Sequence, residues 1–443
     1  MRAFKGGVHP PENKLTREVP IKQITDISTV RIPMNMAIGA TCKPIVKKGD
    51  HVDIGQIIGE PSGISVPIHA TVSGTVKAVK AEYMGTGEMM MIVDIENDFQ
   101  STVHETVQPP VVTDHASFVA ACRACGMVGM GGAGFPTHIK MNPPKEKHPD
   151  ILLVNAMECE PFITSDERQM LEDTESIVKG IAATLKYLEI PKAIIGIEAN
   201  KPEGLKALKD EVEKQSLSTQ VEIKVMPVRY PQGAEKTMIQ ALTGRVIPAQ
   251  GLPGDVNVTV QNVSTLNYIN KFLETGMPLV KRVVTLTGDC PATPGNYEIP
   301  IGTRISELVE KTGGTKAEPK KILMGGPMMG ISMSDFNQPI VKNNNAIILM
   351  NKGAVVPEET PCINCGRCID SCPMELMPNV LNKATKNKDF DRLDNYAVMN
   401  CVECGCCAYV CPAKIQLVQS IRTGKSIYRV GLNELKKERE AAK

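Results

Sequence analysis

The sequence has no tryptophan, and aromatic residues make up only 4% of it. Platforms for unstacked bases need aromatic faces, so single-stranded nucleic acid is a poor candidate ligand. Charge of one sign is lacking too. Fifty Lys and Arg stand against 49 Asp and Glu, a formal net charge of +1. With no basic excess to track a phosphate backbone, nucleic acid is excluded as a partner class. No uninterrupted apolar run reaches the roughly 18 residues that mark a spanning helix. The opening residues, MRAFKGGVHPPENK, hold no apolar segment of the signal-peptide kind. These absences place the chain in the cytosol, with any membrane attachment supplied by a partner.

What remains is ordinary for soluble domains: 42% hydrophobic and 22% charged residues. A chain of 443 residues exceeds what one core organises, so about three or four domains are expected.

Cysteine is not scarce. The chain has 14, and a reducing compartment argues for metal over disulfides. Eight fall into two matching runs, Cys362-x2-Cys365-x2-Cys368-x3-Cys372-Pro373 and Cys401-x2-Cys404-x2-Cys407-x3-Cys411-Pro412. This spacing holds [4Fe–4S] clusters in two-cluster ferredoxins, the fourth thiolate of each run reaching the other cluster. Cys362, Cys365, Cys368 and Cys411 then hold one cluster; Cys401, Cys404, Cys407 and Cys372 hold the other. Zinc is the competing reading, but zinc sites usually show two CxxC pairs. Cys406, beside Cys407, is read as a passive small residue that leaves some choice of ligand open. Cys122 and Cys125 form a CxxC with no second pair nearby. With Cys42, Cys159 and Cys290 they are read as small packing residues.

Two clusters close together conduct single electrons, so something must feed and drain them. A glycine-rich stretch, GMVGMGGAGFPTHIKM (126–141), is a candidate phosphate cradle. The segment before it, HASFVAACRACGMVG, reads as a helix, not a strand, which departs from the Rossmann fingerprint. Strands at 150–158, 192–201 and 221–228 then alternate with amphipathic helices at 173–190 and 204–215. That alternation predicts a parallel α/β sheet with ligands at the strand C-termini. Asn155, Glu158, Glu160, Glu198, Asn200, Arg229 and Tyr230 stand at those ends.

GMGGAGFPTHIK (129–140), NAMECEPFITSDER (155–168), YPQGAEKT (230–237) and QNVSTL (261–266) resemble the flavin-carrying, NADH-oxidising subunit of respiratory complex I. With the FKGGVHPPENK start and the double cysteine run, residues 1 to about 425 resemble the RnfC family. Those are the peripheral subunits of Rnf ferredoxin–NAD oxidoreductase complexes. The resemblance implies FMN and NAD(H) beside two [4Fe–4S] clusters. Gly129, Gly131, Gly132 and Gly134 would line the FMN phosphate and ribityl chain, and Lys140 would neutralise the phosphate. Asn155, Glu158, Tyr230, Gly233, Glu235 and Asn262 match other flavin-pocket positions. Phe135 would stack on NADH, and Glu160 would sit near its ribose. Glu160 and Glu235 are the implied catalytic-site carboxylates. Met157 and Ala234 depart from the complex I pattern, which has acids there.

The implied architecture is multidomain α/β: a β barrel-sandwich hybrid (1–112), an α/β FMN/NADH domain (113–275), a β-grasp module (276–350), a helical two-cluster ferredoxin-like domain (351–425) and a basic tail (426–443). The first of these resembles a biotinyl/lipoyl hammerhead without its Met-Lys-Met tip, and so reads as structural or docking. GGPMMG (325–330) reads as a packed turn. The implied function is hydride exchange between NAD(H) and FMN and single-electron exchange with the clusters. The implied partners are the membrane subunits of the complex and its ferredoxin-like subunit, and indirectly ferredoxin, at the cytoplasmic membrane face. Two rivals remain: a cobalamin reductase serving a corrinoid enzyme, and an iron–sulfur docking scaffold without nucleotide.

Overall fold

The computed structural model describes residues 4–85, 87–354 and 357–441. They form two units interleaved along the chain. The larger takes 12–226 and 257–354; the smaller takes the first eleven residues, 227–256 and the segment after 354.

The larger unit begins as antiparallel β structure. Strands Thr29–Pro33, Met89–Asn97, Gly74–Tyr83 and His51–Val52 lie side by side in that order. Alternation decides their faces: Val30 and Ile32 on one strand, and Val93 and Ile95 on the next, are buried. A second sheet of three short strands, Lys43–Pro44, Ile57–Glu60 and Ile68–His69, completes the sandwich.

The α/β part follows the alternation in the sequence. Strands Val221–Met226, Lys192–Glu198, Ile151–Ala156 and Val258–Asn262 form a parallel sheet in that order. Helix Thr174–Tyr187 buries Ile177, Val178, Ile181 and Leu185, the apolar stripe its periodicity marks. The strand at 258–262 is the one the sequence pattern did not isolate. It is short and runs straight into helix Val263–Thr275, so its period is masked.

A six-stranded sheet carries the next part. The hairpin Lys281–Gly288 and Gly295–Pro300, followed by helix Ile305–Lys311, matches the strand, turn, strand, helix reading. Its edge strand is Ile21–Gln23, paired parallel to Gly295–Pro300. Three residues with no alternation of their own carry no strand signal, so this pairing depends on the tertiary fold.

In the smaller unit, helices Pro378–Lys386, Phe390–Asn395 and Leu417–Ala441 pack around Leu381, Leu393, Val398 and Ile421. The Phe390 and Tyr428 rings stack at 5.0 Å. The expected basic tail continues as helix to Ala441, but its side chains beyond Asn433 and its last two residues lie outside the described residues. Among the described residues, no helix is long and apolar enough to cross a membrane.

Candidate functional site

The two cysteine runs share a backbone as well as a spacing. Gly366 and Gly405, both left-handed (φ 79° and 84°), open the short helices Arg367–Asp370 and Cys406–Tyr409. The matching pairs Asn364 and Glu403, and Glu375 and Lys414, also have positive φ. Each loop thus turns its thiols inward by the same path. Cys362, Cys365, Cys368 and Cys411 line one cavity. Cys401, Cys404, Cys407 and Cys372 line a second. The last cysteine of each run therefore lines the other run's cavity.

The two cavities differ in exposure. Cys362 and Cys365 are exposed, and Ile363 between them is 68% exposed. In the second cavity Cys404 and Cys407 are buried, and the buried Cys406 also lines the wall. Backbone N–H groups of Leu376 and Glu403 donate to Cys372 Sγ and Cys401 Sγ at 3.4 and 3.3 Å. Burial pushes the Cys401 thiol up to about 11 and raises Cys372, Cys368 and Cys407 as well. Thiols held this way keep their protons until a metal displaces them. Four converging thiols per cavity, with amides aimed at sulfur, fit an iron–sulfur cluster.

Side chains from outside the run brace the second cavity. The Tyr230 hydroxyl donates to the Cys404 carbonyl at 2.6 Å, and Tyr230 is buried. The Lys425 ammonium donates to the Cys401 carbonyl and to Glu403, each at 2.6 Å. The sequence pointed to Tyr230 only as a flavin-loop residue, because a loop's local pattern does not encode its distant partner. Gly233 and Glu235 belong to the same unit, at the start of helix Glu235–Thr243.

In the larger unit the glycine stretch forms a closed loop. The Gly129 N–H donates to the Phe135 carbonyl at 2.8 Å, and Val128 pairs with Pro136. The Met130 N–H donates to Thr265 Oγ1, and Asn343 Nδ2 donates to the Gly132 carbonyl at 2.6 Å. Gly131 and Gly132 stay exposed at the tip, Gly134 is buried and Phe135 is half-buried. The Lys140 ammonium reaches the Val260 carbonyl at 3.3 Å. Asn155 and Asn262 sit opposite each other at the C-terminal ends of neighbouring strands. A Cβ on Gly131 would meet the Asn262 side chain at 3.1 Å, so the loop tip and that strand end adjoin. Thr137 Oγ1 and Ser165 Oγ, at the starts of the helices after this loop and after the 158–163 loop, are buried with no hydrogen-bond partner among the described residues. Orphaned hydroxyls beside an exposed glycine tip fit a polar ligand such as FMN.

The acidic loop is more occupied than its sequence suggests. The Glu158 carboxylate accepts the N–H groups of Asp166 and Glu167 at 2.6 and 3.2 Å, capping helix Ser165–Glu172. Burial pushes this carboxyl up to about 8, against the pull of the Lys14 ammonium. The Glu160 carboxylate accepts the N–H groups of Met328 and Met329 at 3.2 and 2.8 Å, which packs the GGPMMG turn against it. Glu198 forms a buried ion pair with Lys201 at 3.3 Å, and Lys201 also reaches Asn200 Oδ1, so both candidates have structural work. Asp166 was missed. Its buried carboxylate accepts from Asn262 Nδ2 at 2.7 Å and Ser264 Oγ at 2.6 Å. An acid in a helix's first turn, beside an unpartnered serine, was the available signal. Cys122 and Cys125 lie in the apolar core, as packing residues should.

Comparison with known proteins assigns these parts. Residues 2–100 match the RnfC barrel sandwich hybrid domain, and 122–271 match the Nuo51 FMN-binding domain. Residues 283–332 match the SLBB domain, and 361–415 match a 4Fe-4S dicluster domain. The chain is 40% identical over 428 residues to the RnfC protein of the Na(+)-translocating ferredoxin:NAD(+) oxidoreductase complex of Acetobacterium woodii, covering 95% of this chain and 96% of that protein. The chain belongs to the RnfC family of ion-translocating oxidoreductase complexes. Its relative in the proton-translocating ferredoxin:NAD(+) oxidoreductase complex of Clostridium ljungdahlii is also 40% identical, over 451 residues, covering 100% of this chain and 96% of that protein. Equal identity to a sodium and a proton system means that likeness in this polypeptide does not reveal the coupling ion. A chain of an NAD+-reducing [NiFe]-hydrogenase superposes with a TM-score of 0.52 at 18% identity, over 70% of this chain and 63% of that one, a likeness of fold alone. Family membership makes this chain an electron-transfer subunit with FMN-binding and 4Fe–4S domains, and it implies other members of the complex as partners.

Proposed function

We propose that this chain is the NAD-linked end of a ferredoxin:NAD oxidoreductase complex, held peripherally at the cytoplasmic face of the membrane by its partner subunits. Bound FMN supplies the chemistry that links a two-electron hydride carrier to one-electron iron–sulfur clusters. The chain's residues hold and orient. Backbone amides of Gly129, Gly131, Gly132 and Gly134 receive the flavin phosphate, with Lys140 as its counter-charge. Asn155 and Asn262 present amides at adjoining strand ends, and Asp166 fixes the Asn262 rotamer. Glu158 acts through the helix it caps. Tyr230 serves the second cavity through the Cys404 carbonyl, and Gly233 and Glu235 complete the flavin-side loop. Phe135 and Glu160 serve the nicotinamide nucleotide. Cys362, Cys365, Cys368 and Cys411 ligate one cluster, and Cys401, Cys404, Cys407 and Cys372 the other.

The observation that carries this reading is the pair of four-thiol cavities in a chain that also matches an FMN-binding domain. Full-length likeness to RnfC proteins favours it over a corrinoid reductase, and the FMN-domain match favours it over a scaffold without nucleotide. The test is anaerobic NADH titration of the cluster-loaded chain with added FMN. Bleaching of the flavin band followed by the cluster band supports the relay. No change with FMN present overturns it.

A further inference from the structure

The FKGGVHPPENK stretch marked the family in the sequence but received no task there. Its two halves fall in different units, divided after Pro11. Each half is stitched to a redox site of its own unit.

The back half, Glu12–Arg17, lies along the 158–168 segment. The Lys14 ammonium donates to three carbonyls: Glu158 at 2.8 Å, Glu160 at 2.9 Å and Ile163 at 2.5 Å. Thr16 and Thr164 share a buried hydroxyl–hydroxyl bond at 2.6 Å. Arg17 pairs with Glu167 at 3.1 Å, and the Phe162 N–H donates to the Glu12 carbonyl at 2.8 Å. One ammonium thus gathers the backbone of a loop that has little regular structure of its own. In water three flexible carbonyls would not converge, so the loop's shape depends on the cation.

The front half lies on the Cys372 turn. The Gly7 N–H donates to the Ser371 carbonyl at 2.9 Å, and Val8 pairs with Tyr230 as an antiparallel bridge. The Arg229 guanidinium donates to the Phe4 and Gly6 carbonyls. Gly6 and Gly7 have φ of 68° and 80°. A Cβ on Gly6 would sit 2.7 Å from the Cys372 carbonyl, and one on Gly7 2.7 Å from the Tyr230 carbonyl. Only glycine permits both the backbone twist and the approach.

We propose that Phe4–Arg17 is a positioning strap: Lys14 shapes the 158–163 loop for nucleotide and flavin binding, and Gly6-Gly7 shapes the Cys372 turn for the second cluster. This rests on the functional reading above.

The test uses the full chain, with two variants and separate readouts. Lys14→Met speeds hydrogen exchange of the 158–163 amides in FMN-free protein. It also weakens FMN binding, read by quenching of flavin fluorescence, by roughly ten-fold, the scale of charged hydrogen bonds lost from one loop. Its retention of iron is unchanged. Gly6→Ala gives the converse: faster chelator-driven loss of iron from the second cavity, with FMN affinity unchanged. Where Lys14→Met fails to fold, Arg17→Met, which removes a half-exposed stitch, weakens FMN binding by a few-fold. The strap is overturned by variants that bind FMN and hold iron as the wild type does, or by either variant damaging both readouts equally. Failure of the functional reading looks different, since the wild type itself then binds no FMN.

Discussion

Replacing Tyr230 by Phe removes one hydroxyl and leaves the ring. The ring is buried, so packing is kept and the change isolates the 2.6 Å bond to the Cys404 carbonyl. A buried hydrogen bond of this kind contributes about 0.5–1.5 kcal/mol net, so the second cluster should become roughly two- to twelve-fold easier to lose. The assay is iron release to a chelator under anaerobic conditions, resolved into two phases. Only the phase of the second cavity should quicken. Tyr297→Phe supplies the control, because its hydroxyl donates to the Thr293 carbonyl at 2.8 Å, far in sequence from any cage cysteine. That variant should lose a similar amount of stability with no change in iron release. If both phases quicken in Tyr230→Phe, or if the control releases iron as fast, the phenol is not a brace of the second cavity.

Other outcomes follow from the same geometry. Cys365→Ser should remove the cluster of the exposed cavity and Cys404→Ser that of the buried one, each halving bound iron, with the remaining cluster seen by electron paramagnetic resonance. Burial pulls the Lys342 ammonium down to about 8, and it donates to the Pro67 and Gly126 carbonyls. The folded state therefore gives up that proton before the unfolded state does. Wild-type stability should climb relative to Lys342→Met between pH 8 and about 10.5, by about 3 kcal/mol in all, in denaturant titrations at stepped pH; parallel curves would refute it. A Cβ on Gly326 would lie 2.1 Å from Glu160 Oε2. Gly326→Ala should cost about 1–3 kcal/mol, and Glu160→Ala in the same chain should recover part of that cost, a coupling read from a double-mutant cycle.

Chemistry written locally was legible in the sequence. The cysteine spacing announced two cages because each cage is a contiguous loop, and the alternation from 150 to 228 announced three parallel strands because each has its own period. Features made by distant stretches of chain were not legible. Lys14 is a single lysine in a polar run, which reads as solvated until three carbonyls are seen around it. Tyr230 looked like a flavin residue, and only tertiary contact shows its hydroxyl on Cys404. Glu158 and Glu160 were legible as acids at a strand end. That their carboxylates are engaged by backbone amides was not, since the donors at 328 and 329 lie far along the chain.

The smaller unit draws on residues at both ends of the chain and on an insert from its middle. This sets an order of events during synthesis. At about 5–20 residues per second, roughly 20–70 s pass between the emergence of Val8 and that of Cys372. Through that interval the opening glycines have nothing to rest on, and Tyr230 has no cysteine carbonyl to meet. No nascent chain can present the second cage in its finished form. Iron loading of that cage is thus a step for the released polypeptide, and a fragment beginning near residue 357 would emerge without its brace.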